Sequence, residues 1–237
     1  MTWILNEFVD DASLVTALSS HVAALANSRI GSVGKATLAV SGGSTPVGLF
    51  NKLATQQVDW SRVQVTLVDE RWLPPDHEDA NALMVHRELL QGPAAAADFV
   101  GLSNATESPF AAEIEINARL QAMSWPLAAV ILGMGGDGHT ASLFPDAETL
   151  QLALRGQNSG GEPSLCCAVM PREAPYARMT MTLPALLECE ALFLHIRGFD
   201  KRQVLERAIT EGPESALPIG SVLHQDKVPL QIYYSEN

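Results

Sequence analysis

Positive charge is scarce in this sequence. Lysine and arginine together number 15 against 27 aspartates and glutamates, which leaves a formal net charge of -12. That balance argues against a nucleic-acid binder whose affinity comes from a basic surface. It still admits a small anionic ligand, provided a few cations converge in one cleft. Cysteine is scarcer: Cys166, Cys167 and Cys189, at no metal-ligand spacing. So sparse and odd a set implies no disulfide framework and fits a reduced, cytoplasmic protein. The adjacent pair reads as packing. No apolar run reaches the roughly 18 residues that would suggest a membrane span. The opening "MTWILNEFVDD" turns acidic at once and lacks the basic start of a secretion signal. Neither nucleic acid nor membrane is therefore an expected partner.

Apolar residues, by contrast, make up 47% of the 237 residues, enough for the core of one large α/β domain or two small ones. Leu14, Leu18, Val22 and Leu25 or Ala26 recur at helical spacing after a cap at Asp10 or Asp11. Apolar runs over Ala36–Val40, Val63–Val68 and Leu127–Leu132 predict buried strands, and helical patterns in "TPVGLFNKLA", "NALMVHRELL" and "PFAAEIEINARLQAM" lie between them. After a polar, glycine-rich connection from Arg155 to Pro163, "LCCAVM", "RMTMTL" and "ALFLHI" read as strands, "DKRQVLERAI" as a helix and "PLQIYY" as a closing strand. Strands alternating with helices predict a mainly parallel sheet flanked by helices, a Rossmann-like, doubly wound α/β fold. The whole chain, 1–237, is taken as one such domain.

In open parallel sheets, ligands bind beyond the carboxyl ends of the strands. The first three predicted strands end in Ser41-Gly42-Gly43-Ser44-Thr45, in Asp69-Glu70-Arg71, and in Gly133 to His139. If the strands are parallel, these ends face one crevice. "SGGSTP" offers sharply turned backbone amides and two hydroxyls at the start of a helix, which suits a phosphate. It lacks the Gly-Lys-Ser/Thr of a nucleotide triphosphate loop. In "LGMGGDGHTASLFP", Gly133, Gly135 and Gly138 match the dinucleotide spacing. However, Asp137 would set a carboxylate against the pyrophosphate, and no strand ending in an acid follows about 20 residues on. The alternative uses every residue: glycines for close approach, His139 as a general base, and Asp137 either to orient the imidazole or to contact substrate. "VDERW" is either a self-satisfied charge cluster or part of the site. "PPDHEDAN", with His77, reads as a solvated loop rather than a metal site. No G-x-S-x-G elbow occurs, which disfavours a serine hydrolase.

Together and in this order, "SGGSTP", "VTLVDERWLPPDHEDAN" and "LGMGGDGHTASLFP" resemble the three signature regions of the 6-phosphogluconolactonase family. "RMTMTLPAL", "FDKRQVLERA" and "LPIGSVL" resemble its later ones. The wider superfamily includes glucosamine-6-phosphate deaminases, which share the fold and the D-G-H turn. The resemblance implies hydrolysis of 6-phospho-D-glucono-1,5-lactone in the oxidative pentose phosphate pathway, with no cofactor and no metal. It implies His139 as the base with Asp137 beside it, and Ser41, Gly42, Gly43, Ser44, Thr45, Arg178 and Lys201 as the phosphate site. Asp69, Arg71 and Asn81 join the substrate-binding set, Arg71 and Asn81 facing the sugar end. Deaminases carry a glutamate a few residues after the histidine; here the segment reads Ser142-Leu143-Phe144, with no acid before Asp146. Gly220 stands where a larger, often basic, residue is expected. The rivals are an amino-sugar-phosphate deaminase/isomerase and a non-catalytic sugar-phosphate sensor. A monomer or weak homo-oligomer is expected.

Overall fold

The computed structural model describes residues 3–236. Seven strands form one wholly parallel sheet. From edge to edge they are β1 (Trp3–Phe8), β10 (Leu230–Ser235), β9 (Leu192–Arg197), β6 (Ala129–Leu132), β2 (Ala36–Val40), β3 (Val63–Leu67) and β5 (Asp98–Val100). Starting from β2, the chain adds β3 and β5 on one side, then returns to lay β6, β9 and β10 on the other. This is the doubly wound order, with β1 added beyond β10, and the winding reverses between β2 and β6. The crevice at that reversal opens beyond Val40 and Leu132. β2 and β6 are buried along their whole length, which explains why they read as unbroken apolar runs.

Helix α1 (Asp11–Val33) lies against β2, β10 and helix α2 (Val47–Ala54). The Asp10 side chain caps α1 by accepting from the Ser13 amide at 2.8 Å, and Gly34, at φ +86°, ends it. Leu14, Leu18, Val22 and Ala26 form its buried stripe. The remaining helices are α3 (Asn81–Glu88), α4 (Pro109–Gln121), α5 (Leu150–Leu154), α6 (Leu183–Leu186), α7 (Phe199–Glu211) and α8 (Ile219–Leu223). Among the described residues, no helix is long and apolar enough to cross a membrane.

A second sheet departs from the parallel pattern. β4 (Asp69–Arg71), β8 (Arg178–Met181) and β7 (Cys166–Val169) form an antiparallel ladder, and α4 packs against β7. Val68 joins the two sheets. Its amide donates to Val40 O on β2 at 2.9 Å, and its carbonyl accepts from the Met181 amide at 2.8 Å. The second predicted strand end therefore does not simply stop at "DER". It turns into a second sheet that overhangs the crevice.

Candidate active site

At the switch point the structure holds a cavity of about 360 Å³. Its lining includes Ser41, Gly42, Gly43, Ser44 and Thr45 from the first strand end, Asp69 and Arg71 from β4, Asn81 from α3, and His139, Arg178 and Lys201. Asp137 is the one candidate that does not line it. Asp137 borders an adjoining hollow together with Asp146 and Glu173, and His139 is shared by both.

The first loop is shaped by steric exclusion. A Cβ on Gly42 would lie 1.9 Å from Asn81 Oδ1, so nothing larger than glycine lets these two segments meet. Gly43, at φ +93°, then turns the chain toward α2. No side chain caps α2, and the hydroxyls of Ser41, Ser44 and Thr45 have no hydrogen-bond partner among the described residues. Donors and a helix N-terminus thus converge on the cavity without an acceptor.

Asn81 is held by a residue that the sequence reading passed over as part of a charge cluster. Glu70, 1% exposed, turns away from the cavity. It accepts from the amides of Arg71 at 2.7 Å, Asn81 at 2.8 Å and Ala82 at 2.8 Å. It is the acceptor for the start of α3, whose N-cap, Ala80, offers none. Burial pushes its carboxyl up to about 7, against the pull of the three amides. Asn81 Nδ2 in turn donates to Asp69 O at 2.9 Å. Glu70→Ala strips the acceptor from three amides, and a loss of about 3 kcal/mol, or about 6–12 °C in Tm, is expected. Thermal unfolding of the variant beside wild type checks this. An unchanged Tm would remove the role assigned to Glu70.

Two arginines face each other across the small sheet, for Arg71 is the register partner of Arg178. Like charges directly opposite one another are unfavourable unless something neutralises them. Arg71 has Asp79, whose carbonyl accepts from Nη1 at 2.9 Å and whose carboxylate lies 3.8 Å away. Arg178 has no ion pair among the described residues. It is 6% exposed, donates once to Pro175 O at 3.0 Å, and leaves Nε without a partner. Burial lowers its pKa, and Asp69 opposes that. Lys201, in the first turn of α7, is likewise unpaired and is lowered by burial against the pull of Asp137 and Asp200. In a chain of net charge -12, two cations without an ion pair thus face the same cavity.

The glycine-rich loop is a tight turn closed by Gly135 N donating to His139 O at 2.8 Å, with Gly138 at φ +76°. A Cβ on Gly135 would sit 2.1 Å from His139 Nδ1. The turn is seated on "LPIGSVL": Ile219 N donates to Gly138 O at 2.9 Å, and Leu217 packs against Gly138. In that segment a Cβ on Gly220 would lie 3.1 Å from Ser215 Cβ, so the absence of a larger residue there has a packing reason. His139 Nδ1 lies 2.5 Å from Asp137 Oδ1. The Phe144 ring lies tilted against the His139 ring with centroids 4.3 Å apart, and the Arg178 guanidinium stands over the Phe144 ring, 5.7 Å from its centroid. Ser142 Oγ donates to Asp69 Oδ2 at 2.5 Å. Among the described residues, two non-glycines have left-handed backbone: Ala141, two residues after His139, and Tyr176, two before Arg178. Strain of this kind gathers at functional sites.

His195 on β9 also lines the cavity, although its run "ALFLHI" carried only a strand signal. It is 2% exposed, and neither ring nitrogen has a hydrogen-bond partner among the described residues.

The chain is similar to known proteins along nearly its whole length. The family model described as "Glucosamine-6-phosphate isomerases/6-phosphogluconolactonase" matches residues 9–230. A 6-phosphogluconolactonase of Rhizobium meliloti (strain 1021) is 41% identical over 234 residues, covering 98% of each chain. One from Mesorhizobium japonicum is 38% identical, covering 97% of this chain and 94% of its own. The crystal structure of a 6-phosphogluconolactonase from Shewanella baltica OS155 superposes with a TM-score of 0.92 at 37% identity, covering 98% of this chain and 97% of that one.

Proposed function

Because the chain belongs to the glucosamine-6-phosphate isomerase/6-phosphogluconolactonase family, we propose that this cavity hydrolyses 6-phospho-D-glucono-1,5-lactone to 6-phosphogluconate. The protein is a carboxylic ester hydrolase. The observation that carries the chemistry is the pairing of His139 with Asp137 at 2.5 Å on the rim of a cavity that holds two unpaired cations.

The phosphate, at about -1.5 to -2 charge, sits against the Ser41–Thr45 loop and the start of α2, with Arg178 and Lys201 neutralising it. That anchor fixes the ring and turns binding energy into orientation. With His139 Nδ1–H donating to Asp137, Nε2 carries the lone pair. Asp137 is then the residue that orients the imidazole, in keeping with its place outside the main cavity. Nε2 takes a proton from water as the oxygen attacks C1. The tetrahedral oxyanion collapses, the C1–O bond of the ring breaks, and the imidazolium returns its proton to the departing ring oxygen. Amides of the glycine turn or Arg71 supply donors to the oxyanion.

Phe144 supports the lactonase over the deaminase. It places an apolar ring, 5% exposed, against the imidazole where ring opening of an amino sugar would need an acid. The test is direct: freshly made lactone, with spontaneous hydrolysis subtracted, set beside glucosamine 6-phosphate assayed for ammonia. Rapid lactone turnover without ammonia is expected. Ammonia release would support the deaminase, and tight phosphosugar binding without turnover would support a sensor.

We also propose that the chain works as one domain in the cytoplasm, as a monomer or weak homo-oligomer, with neither nucleic acid nor membrane as partner. Three unpaired cysteines, the net charge of -12 and a cavity lined by a single chain support this reading.

A further inference from the structure

His195 stands beside a second carboxylate. Its Nε2 lies 3.9 Å from Asp11 Oδ1, an oxygen that is itself buried without a hydrogen-bond partner. Asp11 opens α1 and reaches the first turn of α2, where its Oδ2 is 3.7 Å from the position of a Cβ on Gly48. The pair therefore lies beneath the helix N-terminus assigned to the phosphate. Buried polar atoms are rarely left unpaired, and among the described residues three of them, Asp11 Oδ1 and both ring nitrogens of His195, lie together where His195 lines the cavity. With a carboxylate on one side and an anion on the other, both ring nitrogens are needed as donors. Only the imidazolium supplies two.

We propose that His195, backed by Asp11, is a further anion-binding residue of this cavity, and that it takes up one proton from solvent as the phosphate group binds. This rests on the reading of the cavity as a phosphate site. In the empty cavity, burial holds the imidazole down at about 4, Asp11 pulling it up and Arg197 pushing it down. Arg197 belongs to the same strand and pairs with Asp11 at 3.4 Å. From β10 the register partner is Tyr233, whose hydroxyl is bonded to His21 Nδ1 at 3.0 Å. Arg178 and Lys201 line the same cavity as His195, and an anion bound among them screens their positive charge from the imidazole. Anion binding raises the pKa of His195, so affinity strengthens as pH falls, by up to about tenfold per pH unit for one proton.

Sulfate is the probe, since it does not titrate in this range, with 6-phosphogluconate as the second ligand. Calorimetry at pH 6 in two buffers of unlike ionisation enthalpy counts the protons taken up. Wild type is expected to take up protons on binding sulfate. His195→Gln is expected to lose up to one of them and to bind about tenfold more weakly. Asp11→Asn is expected to reduce the uptake as well. Wild-type uptake and affinity in His195→Gln overturn the proposal. Should that variant not fold, the His195 ring signal in a magnetic-resonance titration of wild type decides: a titration midpoint unmoved by sulfate overturns it equally. Failure of wild type to bind either ligand, or binding indifferent to Arg178→Met, overturns the phosphate-site reading and this inference with it. Sulfate that binds through Arg178 but ignores His195 overturns the inference alone.

Discussion

His139→Ala is expected to lower kcat by about 10²–10⁴-fold, the usual worth of a positioned general base, while KM stays nearly unchanged. The imidazole lines the cavity and is tied to Asp137 through Nδ1; as the proposed base it would act in proton transfer, with the phosphate anchored at the proposed Ser41–Thr45 site. Asp137→Asn keeps a side chain in place but removes the acceptor that sets the tautomer. It should fall between wild type and His139→Ala in kcat, again with little change in KM. Steady-state kinetics on fresh lactone, corrected for spontaneous hydrolysis, separate the two constants. A kcat within experimental error of wild type for His139→Ala would reject the base assignment. A rise in KM alone would move His139 from chemistry to binding.

Arg178→Met reverses that pattern. Among the described residues the buried guanidinium has no carboxylate at ion-pair distance, so its charge is only partly offset, chiefly by Asp69, until an anion arrives. Removing one partner of a buried charge pair costs about 2–5 kcal/mol of binding, which raises KM by about 30-fold or more. The ligand-free protein, relieved of a desolvated charge and of the repulsion from Arg71, should unfold no earlier than wild type. Methionine keeps most of the packing against Phe144. Weaker binding with undiminished Tm is the signature of a charge retained for a ligand. A Tm that drops in step with the rise in KM would show instead that Arg178 supports the fold.

The crevice was legible because the strands that build it are buried on both faces. Ala36–Val40 and Leu127–Leu132 read as continuous apolar runs, and the doubly wound order follows from strands alternating with helices. β1 was not legible. Its six residues lie at an edge, alternate only partly, and pair with a strand more than two hundred residues later. Nor was the antiparallel sheet, because the bend at Val68 depends on Met181, which local pattern does not reveal. Most candidate side chains sat in loops whose glycines mark where backbone must come close. Glu70 and His195 escaped notice for opposite reasons. Glu70 lay in a charged cluster that masked its bond to Asn81, eleven residues on. His195 lay in an apolar run that does not show where along a strand the sheet gives way to the cavity.

The hollow beyond His139, bordered by Asp137, Asp146 and Glu173, bears on how a turnover ends. A lactone is uncharged at its reacting carbon and meets those three acids without penalty. With His139 as the proposed base, hydrolysis would create a carboxylate on the side of the cavity that these acids border, where like charge disfavours it. The same border that tolerates the substrate repels the product. On that reading the reaction weakens the hold on its own outcome at one end, while the proposed phosphate anchor at the other is unchanged.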